Sequence, residues 1–204
     1  EMDITSYNSI KKYLSKTKPK TVIHCAGLSR PMNIHDIDIF KSIDLNIIGT
    51  SNLVKFCSQK KIKFIYFSTN YVYPGTKGKY TENDSLLPFN NYAWSKMGGE
   101  CAAQMYKESL ILRVCMTEKP FIHKFAFDDF ITNFIFHDDV VKLIPKLIKK
   151  RGIINLGGPI QSVYKFAKKY NPQIKKASSK KLLKKTIPTN HSMNINKLKK
   201  FLND

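Results

Sequence analysis

The sequence contains few cysteines and few arginines, and it has no long apolar run. No segment reaches the roughly 18 consecutive apolar residues of a membrane-spanning helix, and no signal-peptide pattern opens the chain, so we expect no membrane partner and a cytoplasmic location. The cysteines are widely spaced and form no Cys-x-x-Cys pair: Cys25, Cys57, Cys101 and Cys115. This spacing predicts free thiols rather than a disulfide framework or a zinc site. The histidines His123, His137 and His191 are scattered, and we predict no metal site.

The chain is strongly basic but poor in arginine. Its 204 residues carry a formal net charge of +20, and three of its 35 basic residues are arginine. Proteins that read phosphates and base edges rely heavily on the bidentate guanidinium of arginine. We therefore predict no nucleic-acid partner. The densest block of lysines, over residues 175–185, is either a solvated face or a binding patch, and we favour the solvated face.

Helix-like and strand-like segments alternate along the chain, which is typical of a parallel sheet covered by helices. Ser6 and Asp138 are predicted N-caps, and Pro145 is expected to bend its helix. Residues 115–134 break the alternation and are predicted to form a loop or hairpin beside the pocket. The predicted helices cover 6–18, 36–59, 92–107, 138–149, 162–170 and 195–201, and the strands cover 21–25, 63–68, 110–114 and 153–156.

Two of these helices have an apolar stripe at helical spacing. We expect the first helix to bury Ile10, Tyr13 and Leu14. The helix over 92–107 is expected to bury a stripe spaced by four residues: Met97, Cys101 and Met105.

Tyr92 and Lys96 stand four residues apart, which is about one helical turn. The predicted strand upstream is followed by residues that bring a hydroxyl to the same place. A phenol next to an ammonium group suits proton delivery to a carbonyl oxygen, because the positive charge favours the phenolate and lowers its pKa. The alternative is a solvated tyrosine beside a surface lysine, since the chain has ten tyrosines and many lysines.

The context of this pair resembles the extended short-chain dehydrogenase/reductase superfamily, and within it the dTDP-4-dehydrorhamnose reductase branch. Ser-Thr-Asn-Tyr-Val-Tyr over 68–73 is similar to the family's strand end, and Tyr-Ala-Trp-Ser-Lys-Met-Gly-Gly-Glu over 92–100 is similar to its helix start. Other short segments similar to the family occur along the chain from residue 3 to residue 202. The resemblance implies a Rossmann-like, doubly wound parallel α/β sheet.

The resemblance also implies roles for three residues. Tyr92 is the proton donor, Lys96 modulates its pKa and binds the nicotinamide ribose, and Thr69 orients the carbonyl. Ser68 is the alternative to Thr69, which we prefer because neighbours on a strand face opposite sides and Thr69 occupies the matching motif position.

The cofactor implied by the family is NAD or NADP. By resemblance, Asp3 and Ile4 contact the adenine, although Asp3 is equally suited to capping the helix that follows. Small residues after a strand allow close approach of the backbone. The residues expected to pass beneath the cofactor are Cys25, Ala26, Gly27 and Ser29.

The implied substrate is a nucleotide-diphosphate sugar with a 4-keto-6-deoxy group, and the basic chain would attract its phosphates. Asn70 and Tyr71 are expected at the sugar and Arg30 at a phosphate, with simple packing of Tyr71 and solvation of Arg30 as alternatives. Sugar-nucleotide dehydratases follow the hydroxyl with an Asp-Glu pair, which Asn70 and Tyr71 do not supply. This favours reduction, with 4-epimerisation as the near variant.

The family's glycine loop for the cofactor pyrophosphate is not found among the nine glycines. We therefore interpret the chain as an N-terminally incomplete reductase, and a non-catalytic sugar-nucleotide-binding module is the alternative. Residues 1–115 are expected to form the partial NAD(P)-binding domain. Residues 116–204 are expected to form mainly the substrate-binding region, with 135–158 returning to the sheet. A homodimer is possible.

Overall fold

The computed structural model describes residues 1–183 and 187–203 and confirms the predicted α/β fold. Lys184 and Lys185 of the predicted basic block lie outside these residues. The strands are β1 (Thr21–His24), β2 (Lys63–Thr69), β3 (Ser109–Val114), β4 (Met116–Thr117), β5 (Phe125–Phe127), β6 (Ile131–Thr132), β7 (Ile135–Phe136), β8 (Gly152–Leu156), β9 (Gln161–Ser162) and β10 (Lys175–Ala177). The α-helices are α1 (Tyr7–Thr17), α2 (Ile34–Ile37), α3 (Ile39–Ile43), α4 (Gly49–Lys60), α5 (Asn91–Gln104), α6 (His137–Leu147), α7 (Val163–Lys168), α8 (Ser179–Leu183) and α9 (Asn196–Asn203).

The main sheet is parallel, with the strand order β1-β2-β3-β8. All six residues of β3 are buried, as expected for a strand covered on both faces. Within the described residues β1 pairs only with β2, and its Ile23 is 44% exposed. The strand β8 joins the sheet beside β3, so part of the chain after residue 115 belongs to this sheet.

The helix predicted over 36–59 is divided in the structure. Asp38 leaves helical geometry, and its carboxylate accepts a hydrogen bond of 2.8 Å from the backbone N–H of Lys41, so α3 begins anew there. A π-helical segment, Asp44–Ile48, then connects α3 to α4. Apolar periodicity predicts the helical run but not these local interruptions.

Two predicted apolar faces are partly wrong. In α1, Ile10 and Leu14 are buried but Tyr13 is 49% exposed. In α5, Cys101 is exposed and the residue after the helix, Met105, is 90% exposed. The reason is that α5 packs through small residues: a Cβ on Gly99 would lie 2.5 Å from the Asn46 carbonyl oxygen, so the backbones approach closely there. The buried positions of α5 are Ala93, Ser95, Gly99, Glu100 and Ala103.

The predicted cap of α6 is also wrong. The helix begins at His137, and its N-cap position is Phe136, which makes no side-chain capping bond. Asp138 lies in the first turn, where its carboxylate still interacts favourably with the helix dipole. Pro145 lies inside the helix, as predicted.

The residues after β3 form a second, aromatic core under three pairs of very short strands: β4 with β7, β5 with β10, and β6 with β9. This core includes Phe121, Phe130, Phe136 and Phe166, each no more than 6% exposed. No helix in the described part of the chain is long and apolar enough to cross a membrane.

Candidate active site

Thr69 and Tyr92 meet at the carboxyl end of the sheet. Thr69 is the last residue of β2, and Asn90 caps α5 by accepting a 2.8 Å hydrogen bond from the N–H of Ala93, which places Tyr92 in the first turn. The Thr69 hydroxyl lies near the Tyr92 phenol and acts to lower its pKa. The structure therefore brings together the hydroxyl and the phenol that the sequence predicts.

The pKa of Tyr92 is nevertheless raised overall, because burial disfavours the phenolate more than Thr69 and Arg30 favour it. The sequence predicts instead that Lys96 lowers this pKa. In the structure the Lys96 Nζ lies over the ring of Tyr66, 4.4 Å from the ring centroid. The ammonium group is thus directed toward Tyr66 and Cys25, and the groups acting on the phenol are Thr69 and Arg30.

The environment of Lys96 makes it an unusual lysine. Burial lowers its pKa to about 8, and Cys25 and Glu100 oppose this shift. Its backbone carbonyl accepts a 2.9 Å hydrogen bond from the Tyr66 hydroxyl, which fixes this turn of α5 on β2. A lysine with this pKa remains mainly protonated near neutral pH and is sensitive to small changes in nearby charge.

The two neighbouring hydroxyls at the end of β2 have different partners. Ser68 is buried and donates a 2.5 Å hydrogen bond to the Glu100 carboxylate. The Thr69 hydroxyl accepts a 3.2 Å hydrogen bond from the N–H of Tyr71 and lies beside Tyr92. Because Ser68 is engaged on the other face of the strand, the geometry favours Thr69 as the hydroxyl of the site.

Asn46 is a residue near the site that was not predicted from the sequence, although it begins an Asn-x-x-Gly-Thr segment over 46–50. Its amide group accepts from the N–H of Leu28 at 2.7 Å and donates to the Leu28 carbonyl at 2.8 Å. It also donates to the Ser95 hydroxyl at 2.8 Å. These bonds tie the loop after β1 to α5, between Tyr92 and Lys96.

The predicted cofactor-side residues lie on the loop after β1. Cys25, Ala26, Gly27 and Ser29 are all exposed there. Gly27 has a φ of +149°, and a Cβ at this position would lie 2.8 Å from the Asn46 amide oxygen. A glycine is therefore required for the close approach of this loop to Asn46.

Asp3 and Ile4 are placed differently from the predicted adenine contacts. The Asp3 carboxylate accepts hydrogen bonds from the N–H and the hydroxyl of Thr5, at 2.9 and 2.8 Å, so it caps the turn before α1. Ile4 is 7% exposed and packs in the core that α1 and α4 share. Asp3 does not cap the helix itself, because the N-cap of α1 is Ser6, whose hydroxyl accepts from the N–H of Ser9. Little of Ile4 is accessible to a ring.

Two of the predicted substrate residues, Arg30 and Tyr71, lie near the phenol. Arg30 is exposed and pairs with Glu118 at 2.5 Å, and its charge opposes the rise in pKa that burial causes at Tyr92 and Tyr71. Asn70 is buried, and its amide donates at 3.2 Å to the Thr132 hydroxyl and to the His191 carbonyl. Asn70 thereby connects the site to β6 and to the C-terminal segment.

Tyr71 belongs to an aromatic group that lines the same end of the sheet. Its ring centroid lies 5.0 Å from that of His191, 5.3 Å from Phe89, 6.3 Å from Phe130 and 6.4 Å from Tyr92. Burial lowers the pKa of His191 to about 4, so this ring is neutral near pH 7. The spacing of these residues in the sequence gives no sign that they converge.

His35 is a second residue missed from the sequence. It is fully buried, its Nδ1 lies 2.7 Å from the Ser42 hydroxyl, and its ring packs edge-on to Tyr92 at 5.2 Å between centroids. Its Nε2 has no hydrogen-bond partner within the described residues. Burial lowers the pKa of His35, so it contacts the phenol as a neutral ring.

Comparison with known proteins assigns the family. The model of the RmlD substrate binding domain family matches residues 1–118, which is more than half of the chain. The chain belongs to this family. The match includes every predicted site residue and ends just after β4.

Individual relatives match a smaller part. Methionine adenosyltransferase 2 subunit beta from Xenopus tropicalis is 34% identical over 107 residues, covering 52% of this chain and 32% of that protein. A dTDP-4-keto-6-deoxy-D-glucose reductase from Streptomyces niveus is 28% identical over 103 residues, covering 50% of this chain and 35% of that protein. These alignments span about a third of the length of the relatives.

A solved structure resembles nearly the whole chain. The dTDP-4-dehydrorhamnose reductase from Bacillus anthracis in complex with NADP superposes with a TM-score of 0.85 at 22% identity, covering 99% of this chain and 80% of that one. At this identity the likeness establishes the fold. The family match and the similarity in fold therefore confirm the resemblance that was inferred from the sequence.

Proposed function

We propose that this chain acts in the NAD(P)-dependent reduction of a 4-keto-6-deoxy nucleotide sugar. The observation that carries the proposal is the meeting of Thr69 with Tyr92 at the carboxyl end of the sheet, with Lys96 one turn further along α5. Two names among the similar proteins are those of reductases of this kind.

The residues at the end of β1 fit the nicotinamide half of such a cofactor. Cys25, Ala26 and Gly27 are small and exposed, and the Lys96 ammonium is close to Cys25. When bound, the reduced cofactor supplies the hydride. The sequence contains no Gly-x-x-Gly-x-x-Gly loop, so we assign no residue of this chain to the pyrophosphate.

The protein's own chemistry is proton delivery. Tyr92 is protonated near neutral pH because its pKa is raised, so the phenol is ready to donate to the oxygen of the substrate carbonyl. Thr69 hydrogen-bonds both the phenol and this oxygen, which fixes the direction of the transfer. Arg30 stabilises the phenolate that remains, since its positive charge lowers the pKa of Tyr92.

The substrate lies, in this proposal, between the phenol and the aromatic group around Tyr71. Arg30 is exposed and can exchange its surface partner Glu118 for a phosphate of the nucleotide sugar, since exposed ion pairs are worth little. The amide of Asn70 is held by Thr132 and His191, so we expect it to shape the sugar site rather than to act as an acid or base.

A second candidate is a non-catalytic subunit that retains the sugar-nucleotide site. The observation that favours it is the name of a similar protein, which is subunit beta of a methionine adenosyltransferase.

A homodimer also belongs to the proposal, because α2 and α3 expose Ile37, Phe40 and Ile43 beside the 48% exposed Trp94 of α5. Sedimentation analysis of the purified chain tests the dimer.

The experiment that separates the two candidates is an absorbance assay at millimolar NADPH or NADH with a dTDP-4-keto-6-deoxy sugar. Substrate-dependent oxidation of the cofactor supports the reductase. Binding of the nucleotide sugar by calorimetry without any oxidation supports the non-catalytic subunit.

A further inference from the structure

Glu100 is a fully buried carboxylate one turn beyond Lys96 and two turns beyond Tyr92 on α5. Residues spaced by four lie on one face of a helix, so its charge faces the same side as Lys96. In the sequence, Glu100 is the last residue of the motif over 92–100. The structure shows that both of its oxygens are engaged by buried partners.

The partners of Glu100 come from two neighbouring strands. Ser68 of β2 donates to its Oε2 at 2.5 Å, and Arg113 of β3 donates to its Oε1 through Nη2 at 2.7 Å and through Nε at 3.1 Å. Gln104 also donates to Oε1, at 3.0 Å. The carboxylate therefore connects α5 to the strand that ends in Thr69.

Arg113 extends this connection across the sheet. Its Nη1 donates to the Tyr73 hydroxyl at 2.7 Å and to the Glu82 carbonyl at 3.2 Å. The Tyr73 hydroxyl in turn donates to the Asn155 side chain on β8 at 2.8 Å. One buried ion pair thus joins α5, β2, β3, β8 and the segment over 73–82.

A buried ion pair is poor evidence for a purely stabilising role, because the cost of desolvating two charges often exceeds their attraction. Apolar residues of similar volume fill such a space at equal or lower free energy. An ion pair here is better explained by what it fixes: the orientation of β2 relative to α5, and a negative charge on the Lys96 side of the helix. Glu100 in fact opposes the loss of charge that burial imposes on Lys96.

We propose that Glu100, held by Arg113, is a positioning residue of the site: through Ser68 it fixes Thr69 against Tyr92, and it places a negative charge on the Lys96 side of α5. This inference rests on the proposed function. It gives a positioning role to Glu100 and Arg113, which are buried and do not touch the reacting atoms.

The test compares Glu100→Gln with Glu108→Gln. Glu108 pairs with Arg151 at 2.8 Å in an exposed ion pair at the opposite end of β3, so it controls for the loss of one carboxylate. The readout is the acetylation rate of Lys96 as a function of pH, measured residue by residue with mass spectrometry. Amide hydrogen exchange at residue 69 and over residues 92–96 reports on how firmly Thr69 is held against Tyr92.

In Glu100→Gln we expect Lys96 to be acetylated about threefold or more faster near pH 7, because removing the carboxylate lowers its pKa further. We also expect faster exchange at the site amides. Glu108→Gln should leave both unchanged. Neither readout needs cofactor or substrate turnover, so failure of this inference is distinguishable from failure of the proposed function.

A lone buried Arg113 in Glu100→Gln is itself destabilising, so the double substitution Glu100→Met with Arg113→Met, which leaves no unpaired charge, serves as a second variant. The same increase in Lys96 acetylation is expected there. A folded variant of either kind whose Lys96 titrates as in the parent protein would overturn the proposal.

Discussion

Two neighbouring groups of polar side chains differ in burial and in partners. They are the reactive end of β2, with Thr69, Tyr92 and Lys96, and the buried network behind it, with Ser68, Glu100 and Arg113. Thr69, Tyr92 and Lys96 are grouped where the sheet ends, with a phenol and an amine of shifted pKa. Ser68 and Glu100 lie one residue from Thr69 and one helical turn from Lys96, and Arg113 pairs in register with Ser68 from β3. All three are at most 2% exposed. Side chains of the first group are placed to meet a ligand, whereas those of the second satisfy one another.

Because of this difference, we expect substitutions in the two groups to affect different properties of the protein. Changes in the buried network should reduce the free energy of unfolding, and changes at the reactive end should reduce turnover without reducing that free energy. Each of the following predictions tests one side of that division.

The largest effect on stability is expected for Arg113→Met. This substitution leaves the Glu100 carboxylate buried without its cation, which typically costs about 3–5 kcal/mol. Urea unfolding of the variant and of the matched surface variant Arg151→Met measures the difference. A loss below about 1 kcal/mol in Arg113→Met, similar to that of the exposed pair, would remove the distinction between the network and the surface.

The two hydroxyls allow a closer comparison. Ser68→Ala leaves the Glu100 carboxylate without one donor and should cost about 1–3 kcal/mol of stability. Thr69→Val should instead lower turnover by about tenfold or more, because the hydroxyl beside Tyr92 is lost while the shape of the side chain is kept. The paired measurements are urea unfolding and steady-state cofactor oxidation. An exchange of the two outcomes would make Ser68 the working hydroxyl.

Lys96→Met should stabilise the folded chain at neutral pH by on the order of 1 kcal/mol, because burial lowers the pKa of Lys96 and the charged form is the disfavoured one. The parent's stability should rise with pH between about 8 and the unfolded lysine value near 10.4, since the unfolded state binds more protons over that window. The variant should lose this part of the pH dependence. Identical profiles by thermal unfolding would show that Lys96 is solvated.

The weakest expected interaction is that with the free cofactor. Because the sequence lacks the glycine loop, we predict that the chain binds NAD(H) or NADP(H) with a dissociation constant above about 1 mM. This corresponds to a binding free energy of less than about 4 kcal/mol in magnitude. The exposed edge of β1 should also favour self-association. Calorimetry and light scattering measure both. Micromolar affinity in a monodisperse monomer would show that other residues hold the cofactor.

The sequence predicts the parts of the molecule in which a local pattern decides the structure. The four main strands, the cap at Ser6 and the position of Tyr92 in a first helical turn follow from apolar runs and capping residues. The family resemblance adds the pairing of Thr69 with Tyr92, because these residues are far apart in the chain.

Other features depend on tertiary contacts that a single sequence does not reveal. The burial of Gly99 against Asn46 excludes the larger side chains of α5 from the core, and so Met105 is exposed. The position of the Lys96 amine over Tyr66 and the approach of His35 to Tyr92 arise from the packing of separate segments. Isolated residues of these types carry no periodic signal.

The most direct test of the account is the turnover of Tyr92→Phe relative to the parent chain at millimolar cofactor, with Tyr13→Phe on the exposed face of α1 as the control. Loss of the phenol should lower turnover by about 10² or more, because general-acid catalysis contributes about 10²–10⁴. Urea unfolding and cofactor binding should be nearly unchanged. A Tyr92→Phe variant that turns over within twofold of the parent would contradict the assignment of Tyr92 as the proton donor.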